Sequence, residues 1–203
     1  MIGFLGGSFD PIHYGHLKNA SIVKEELGLD ELYLMPCSSP AQKSRLMFSN
    51  KERLDMIKLA TNEFIDLSID PREINRDGTS YTIDSLLDIR GQTQKTGICF
   101  LVGMDCYVNL NTWKNYQEFH NYCHLIVIGR PNYHTENKEL HFFKNCSNVE
   151  QLHEQQNGLV YFSKSEMLDI SSSSIRNKIN HNQSLSNLVP SPVINYIEES
   201  SET

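Results

Sequence analysis

The chain has 203 residues, enough for one α/β domain with a sizeable core. Its formal net charge of −7 and pI of about 5.6 exclude the broad basic surface that non-specific binding of a nucleic-acid polymer needs. Five cysteines (Cys37, Cys99, Cys106, Cys123, Cys146) without a CxxC pair, and an opening without a basic-apolar leader, lead us to expect free thiols in a reducing cytoplasm, and no apolar run approaches the ~20 residues that span a bilayer.

Ile2, Phe4 and Leu5 form a short apolar run, read as the buried first strand of a parallel sheet. Gly6 and Gly7 follow, where a backbone without Cβ atoms turns sharply and lets a ligand come close. Ser8 adds a hydroxyl, Asp10-Pro11 ends the strand, and a helical pattern runs through Leu17, Ala20, Val23 and Leu27. His13 and His16 lie three apart at the mouth of that helix, a spacing that shares one face once the turn has begun. A helix N-terminus attracts anions, so strand, glycines, histidines and helix together read as a cradle for phosphates. The plain alternative is a β–α turn carrying two surface histidines.

Residues 32–36 read as a second strand, followed by a polar loop over 37–45. Ser49-Asn50-Lys51-Glu52 has capping-box spacing and predicts a helix with Leu54, Ile57 and Ala60 inward. Residues 64–69 alternate as a third strand, and a loop leads to a helix with Ile83, Leu86 and Leu87 inward, ending near Gly91. Residues 98–102 and 125–128 read as central strands, with short helical pieces around 106–109 and 115–119 between them. Residues 131–158 are polar, histidine-rich and poorly periodic, so an irregular excursion with room for one helix and little catalytic content is expected. A last short strand over 159–162 and helices over 172–180 and 192–199 complete the chain. This alternation predicts a single domain over 1–203: an α/β, doubly wound parallel sheet with C-terminal helices. In such sheets ligands sit beyond the carboxyl ends of the strands, where strand order reverses.

The second chemical signal is Asp169-Ile170-Ser171-Ser172-Ser173-Ser174-Ile175-Arg176. One serine at a helix start is ordinarily a cap. Four of them with an arginine one turn inside suit the outer phosphates of a nucleotide.

These two stretches carry a resemblance. Residues 6–17 (GGSFDPIHYGHL) resemble the opening of the nucleotidyltransferases, a glycine-rich turn followed by HxGH. The serine-rich stretch is similar to their ISSTxIR motif, with Ser173 where threonine is common. Three further stretches resemble the bacterial nicotinate-nucleotide adenylyltransferases: residues 75–86 (NRDGTSYTIDSL), Gly103-Met104-Asp105 through Leu110 to Trp113, and Leu188-Val189-Pro190 with Val193, Tyr196 and Ile197. The likeness covers nearly the whole chain and is weakest over 131–158.

The resemblance implies a Rossmann-like nucleotidyltransferase fold and an enzyme of NAD biosynthesis. It would join ATP, taken with Mg²⁺, to nicotinate mononucleotide and release nicotinate adenine dinucleotide and pyrophosphate. It implies that His13, His16 and Arg176 are catalytic, and that Gly6, Gly7, Ser8, Phe9, Ser172, Ser173 and Ile175 hold ATP. Lys43, Thr82, Gly103, Asp105, Trp113 and Lys114 would hold the mononucleotide, with no metal bound by the protein itself. Backbone near Thr82 and Trp113-Lys114 would take the nicotinate carboxylate, and the Trp113 indole would stack on the pyridine ring. ATP and nicotinate mononucleotide are then the expected partners, with no membrane, and a homo-oligomer is left open.

The residues themselves leave alternatives. Trp113 lies among polar neighbours (Asn111, Thr112, Lys114, Asn115), which favours a half-exposed platform over a core tryptophan. Asp105 reads equally as the N-cap of a short helix. Pro40-Ala41-Gln42-Lys43 lacks the histidine of the P-P-H-K stretch common in the family, and Lys43 is by default a solvated charge. Lys114 stands where a tyrosine is common; a backbone contact tolerates the change, and a cation there favours a carboxylate over an amide. Rival readings are phosphopantetheine adenylylation, a catalytically silent nucleotide-sensing module, and a zinc site at His120, Cys123 and His124.

Overall fold

A computed structural model describes residues 1–39, 46–93, 96–129, 141–165 and 167–201. The first strand, β1 (Ile2–Gly7), runs into α1 (Tyr14–Leu27). This helix turns Leu17, Ala20, Val23 and Leu27 inward and stops at Gly28, whose left-handed φ of 59° a side chain would resist. β2 (Glu31–Pro36) and α2 (Asn50–Thr61) follow, the latter opened by the expected capping box between Ser49 and Glu52. Its buried face is Arg53, Met56, Ile57 and Ala60; the predicted Leu54 is only half-buried.

β3 is shorter than predicted, Leu67–Ile69, because residues 64–66 form the turn that brings the chain back from α2. α3 (Thr82–Gln92) buries Ile83, Leu86 and Ile89, whereas Leu87 faces out at 45% exposure, one position off the inward stripe. β4 (Ile98–Gly103), α4 (Met104–Val108) and two 3-10 turns at Leu110–Thr112 and Tyr116–Asn121 lead to β5 (His124–Ile128).

The excursion is more regular than its sequence suggested. Its described part holds β6 (Lys144–Cys146) and α5 (Val149–Glu154), capped by the Asn148 side chain; residues 131–140 lie outside the described residues. Only Cys146 of β6 is buried, so no apolar run marked that strand. β7 (Leu159–Phe162), α6 (Ser172–Asn180) and α7 (Ser191–Ser201) close the fold.

The described strands form one sheet in the order β3-β2-β1-β4-β5-β7-β6, every pairing parallel. Strand order reverses between β1 and β4, which places a crevice over the carboxyl end of β1. Two apolar cores cover the faces. One gathers Phe9, Ile12, Leu17, Met56, Ile175 and Val193. The other gathers Phe4, Met35, Leu86, Phe100, Leu110 and Phe119. The cysteines are unbridged, and no helix among the described residues is long and apolar enough to cross a membrane.

Candidate active site

The crevice is built by the first turn. Gly6 and Gly7 are the last two residues of β1 and face opposite sides of the sheet. A Cβ on Gly6 would lie 3.0 Å from the Phe100 ring, and one on Gly7 would lie 3.1 Å from the Phe9 ring. Phe100 belongs to one core and Phe9 to the other, so this turn straddles both faces. Phe9 itself takes φ of 45°, a costly conformation for an aromatic residue, held by a ring only 1% exposed and set edge-on to His16.

The histidine pair does come together, but not as two residues on one helical face. His13 is the N-cap of α1: its Nδ1 accepts the His16 N–H at 3.3 Å. The two rings stack with centroids 3.7 Å apart. With Nδ1 accepting, a neutral His13 carries its proton on Nε2 and presents a donor there. Gly15 is required by the same packing, since a Cβ would come within 2.9 Å of the Ile170 carbonyl oxygen and 3.0 Å of the His13 ring.

The serine-rich stretch arrives from the far end of the chain. Ser171 caps α6 by accepting the Ser174 N–H, as its sequence position predicts. The Ser172 hydroxyl donates to the Pro11 carbonyl at 3.2 Å. Arg176 donates to the Asp10 carbonyl at 2.8 Å, lies 3.6 Å from the Asp10 carboxylate, and donates to the Ser173 hydroxyl at 3.2 Å. Residues more than 160 positions apart thus form one cluster around the first turn. Asp10, 1% exposed, also accepts the Met47 and Phe48 N–H groups and so ties down the segment entering α2. Ile175, expected among the ATP-holding residues, turns its side chain away from the crevice surface. Its side chain is fully buried in the core and its N–H donates to the Ser171 carbonyl, so it packs the helix in place.

On the other face a cavity of about 420 Å³ opens beside Gly6, Gly7 and Ser8. Thr82, Trp113 and Lys114, three of the residues expected to hold the mononucleotide, line it. Trp113 is half-buried, edge-on to Phe100 and Phe119. Its backbone N–H donates to the Leu110 carbonyl at 2.9 Å and is thereby taken up within the strip. Gly103 and Asp105 are exposed outside the lining; Gly103, not Asp105, is the N-cap of α4. Lys43 lies outside the described residues.

Glu73, Ser80 and Tyr81 also line the cavity and were not singled out by sequence. Glu73 is 5% exposed and accepts the Ser85 hydroxyl at 2.7 Å; burial pushes its carboxyl up, offset in part by Ser85 and Arg76. Ser80 zips the segment after β2 onto the α3 entry through the Ser38 N–H, and its own N–H donates to Ser39. The signal for Ser80 and Tyr81 was the SYT stretch, in which only Thr82 was given a part; Glu73 lies upstream of it and carried no signal.

Arg53 is fully buried beneath the turn. Its guanidinium donates to the carbonyls of Ser8 at 2.6 Å, Cys37 at 2.7 Å and Ser38 at 3.2 Å, and to Asn50 Oδ1 at 2.6 Å. It fixes the carboxyl ends of β1 and β2 against each other. The zinc reading fails. His124 is committed on both ring nitrogens, to the Leu159 N–H and the Gln155 carbonyl, and among the described residues no three His, Cys, Asp or Glu gather to hold a metal.

The cytidylyltransferase-like family matches residues 4–178. The probable nicotinate-nucleotide adenylyltransferase of Vesicomyosocius okutanii is 47% identical over 97% of this chain and 93% of its own. That of Psychromonas ingrahamii is 39% identical over 98% and 94%. Among solved structures, the nicotinic acid mononucleotide adenylyltransferase of Plasmodium falciparum complexed with NaAD superposes with a TM-score of 0.76 at 19% identity, covering 98% of this chain and 95% of that one, a likeness of fold.

Proposed function

The chain belongs to the cytidylyltransferase-like family and, within it, to the nicotinate-nucleotide adenylyltransferases, and we propose that the crevice over β1 is where it joins ATP to nicotinate mononucleotide. The products are nicotinate adenine dinucleotide and pyrophosphate, a step of NAD biosynthesis. The observation that carries the placement is the meeting of the Asp10-Pro11 turn with Ser172 and Arg176, across the glycines from the Trp113 cavity. One side offers cationic and imidazole donors for a triphosphate. The other offers an aromatic platform and polar groups for a pyridine ring.

The 5′-phosphate of the mononucleotide attacks the α-phosphorus of ATP; one P–O bond forms as the bond to pyrophosphate breaks. The attacking oxygen is already ionised, so the protein supplies alignment and charge stabilisation rather than a nucleophile. His16 donates to the α-phosphate as charge builds, His13 orients the triphosphate through Nε2, and Arg176 with Ser172 and Ser173 steadies the departing pyrophosphate. Gly6, Gly7 and Ser8 let the phosphates lie against backbone. Mg²⁺ would enter with the ATP substrate and would supply charge neutralisation at its phosphates. Asp10 does not fit as its ligand, being committed to two N–H groups and Arg176.

The test is pyrophosphate release from ATP and Mg²⁺ with nicotinate mononucleotide, nicotinamide mononucleotide and phosphopantetheine in parallel. Release with the nicotinate compound is expected, and release with phosphopantetheine alone defeats the reading. His16→Ala is expected to lower turnover ~10²–10³-fold with the fold intact by circular dichroism. Near-normal turnover in that variant removes His16 from the chemistry.

A further inference from the structure

Nicotinate and nicotinamide mononucleotides have nearly the same shape and differ in charge at one substituent. A site that tells them apart needs a charge or a set of donors arranged in one sense. Among the described residues lining the cavity, Lys114 is the one cation and Glu73 the one carboxylate. Glu73 is suited to the pyridinium ring that both compounds share, so it does not discriminate. Lys114 remains.

We propose that the Lys114 ammonium, held at the cavity rim by Asp84 and the Tyr81 ring, is the group that selects nicotinate over nicotinamide. The proposal deepens the adenylyltransferase reading above and rests on it. Its ammonium lies 3.5 Å from Asp84 Oδ2 and 4.4 Å from the centre of the Tyr81 ring. Both holders flank Thr82, itself on the lining, so the side chain spans from the Trp113 strip to the entry of α3. That span places a positive charge where the ring of the mononucleotide must enter. The Asp84 carboxylate shows how a ligand carboxylate would be met: an ammonium carries three donors and serves two acceptors at once.

The Lys114 side chain is 45% exposed and that of Asp84 39%, so solvent screens the attraction and the effect is a preference, not an absolute gate. An uncharged amide gains only an ordinary hydrogen bond from the ammonium, which little more than replaces its water. A carboxylate gains a charge-assisted contact, which at this exposure is about five- to ten-fold in affinity.

The experiment measures kcat/KM for both mononucleotides in wild type, Lys114→Gln, Lys114→Arg and Asp84→Asn, with the KM for ATP as control. Lys114→Gln is expected to lower the nicotinate-to-nicotinamide ratio about five- to ten-fold through the KM for the nicotinate compound, with the KM for ATP unchanged. Lys114→Arg keeps most of the preference. Asp84→Asn removes the competing acceptor while the Tyr81 ring and the amide oxygen of the new side chain keep the ammonium at the rim, so it raises the ratio, a change opposite in sign to anything a loosened fold would give. An unchanged ratio in Lys114→Gln overturns the assignment, as does an equal loss with both compounds or a lowered ratio in Asp84→Asn. Wild-type protein that adenylylates neither mononucleotide defeats the underlying function instead.

Discussion

Arg53 is a charged side chain with no exposure, and burial pushes its pKa down. Its position is stable because four oxygens surround it, three of them backbone carbonyls that the strand ends would otherwise leave without partners. Arg53→Met strands those acceptors in the interior at ~1–3 kcal/mol each, so a loss of about 3 kcal/mol or more is expected. A urea titration reads it as a lowered midpoint at constant slope. Because Ser8 is one of the carbonyls held, the KM for ATP rises in the same variant. Arg53→Lys, which keeps the charge but fewer directed donors, falls between. A wild-type midpoint in Arg53→Met would show that these bonds hold nothing. Arginine in a helix reads as solvated by type, yet Arg53, Met56, Ile57 and Ala60 recur at helical spacing, and that periodicity was the available signal.

Among the elements, the junction of β5 with β7 carries a pH dependence. His124 opens β5 fully buried. Its Nδ1 accepts the Leu159 N–H at 3.3 Å, and its Nε2, 3.1 Å from the Gln155 carbonyl, donates there. The neutral ring satisfies both contacts, whereas protonation would set one N–H against another. Burial therefore holds the His124 pKa below the ordinary value of 6.5. The unfolded chain takes up the proton first, so the stability from this residue is complete above pH 6.5. It is lost as pH falls through the folded value, at up to about 1.4 kcal/mol per pH unit. Urea midpoints between pH 7.5 and 5 should fall in wild type and fall less in His124→Gln. Equal slopes would exclude His124 as the group responsible.

For the whole molecule, the first turn and the last helices are one structure. Ile175, Val193 and Ile197 are buried in the core that α1 and α2 share, and the Tyr14 N–H donates to the Leu188 carbonyl. A chain ended at residue 170 is expected to lose cooperative unfolding in urea and all pyrophosphate release, since it exposes that core and removes Arg176. A truncated chain that unfolds at the wild-type midpoint would show the helices to be an appendage. The sequence by itself determined what depends on near neighbours: the strand–glycine–histidine opening, the Ser49–Glu52 capping box, the α/β alternation, and the residue types that chemistry on phosphates needs. Such features are set within one or two turns of chain, where propensity and hydrogen-bond geometry act. Only the tertiary structure decided that Leu87 faces out, that residues 144–146 pair as an edge strand, and that the Ile175 side chain packs into the core. It alone decided that Arg53 turns inward, that Lys114 reaches Asp84, and that Arg176 closes on Asp10. Each of those outcomes depends on a partner that packing brings near, and sequence spacing carries no record of distance across a folded sheet.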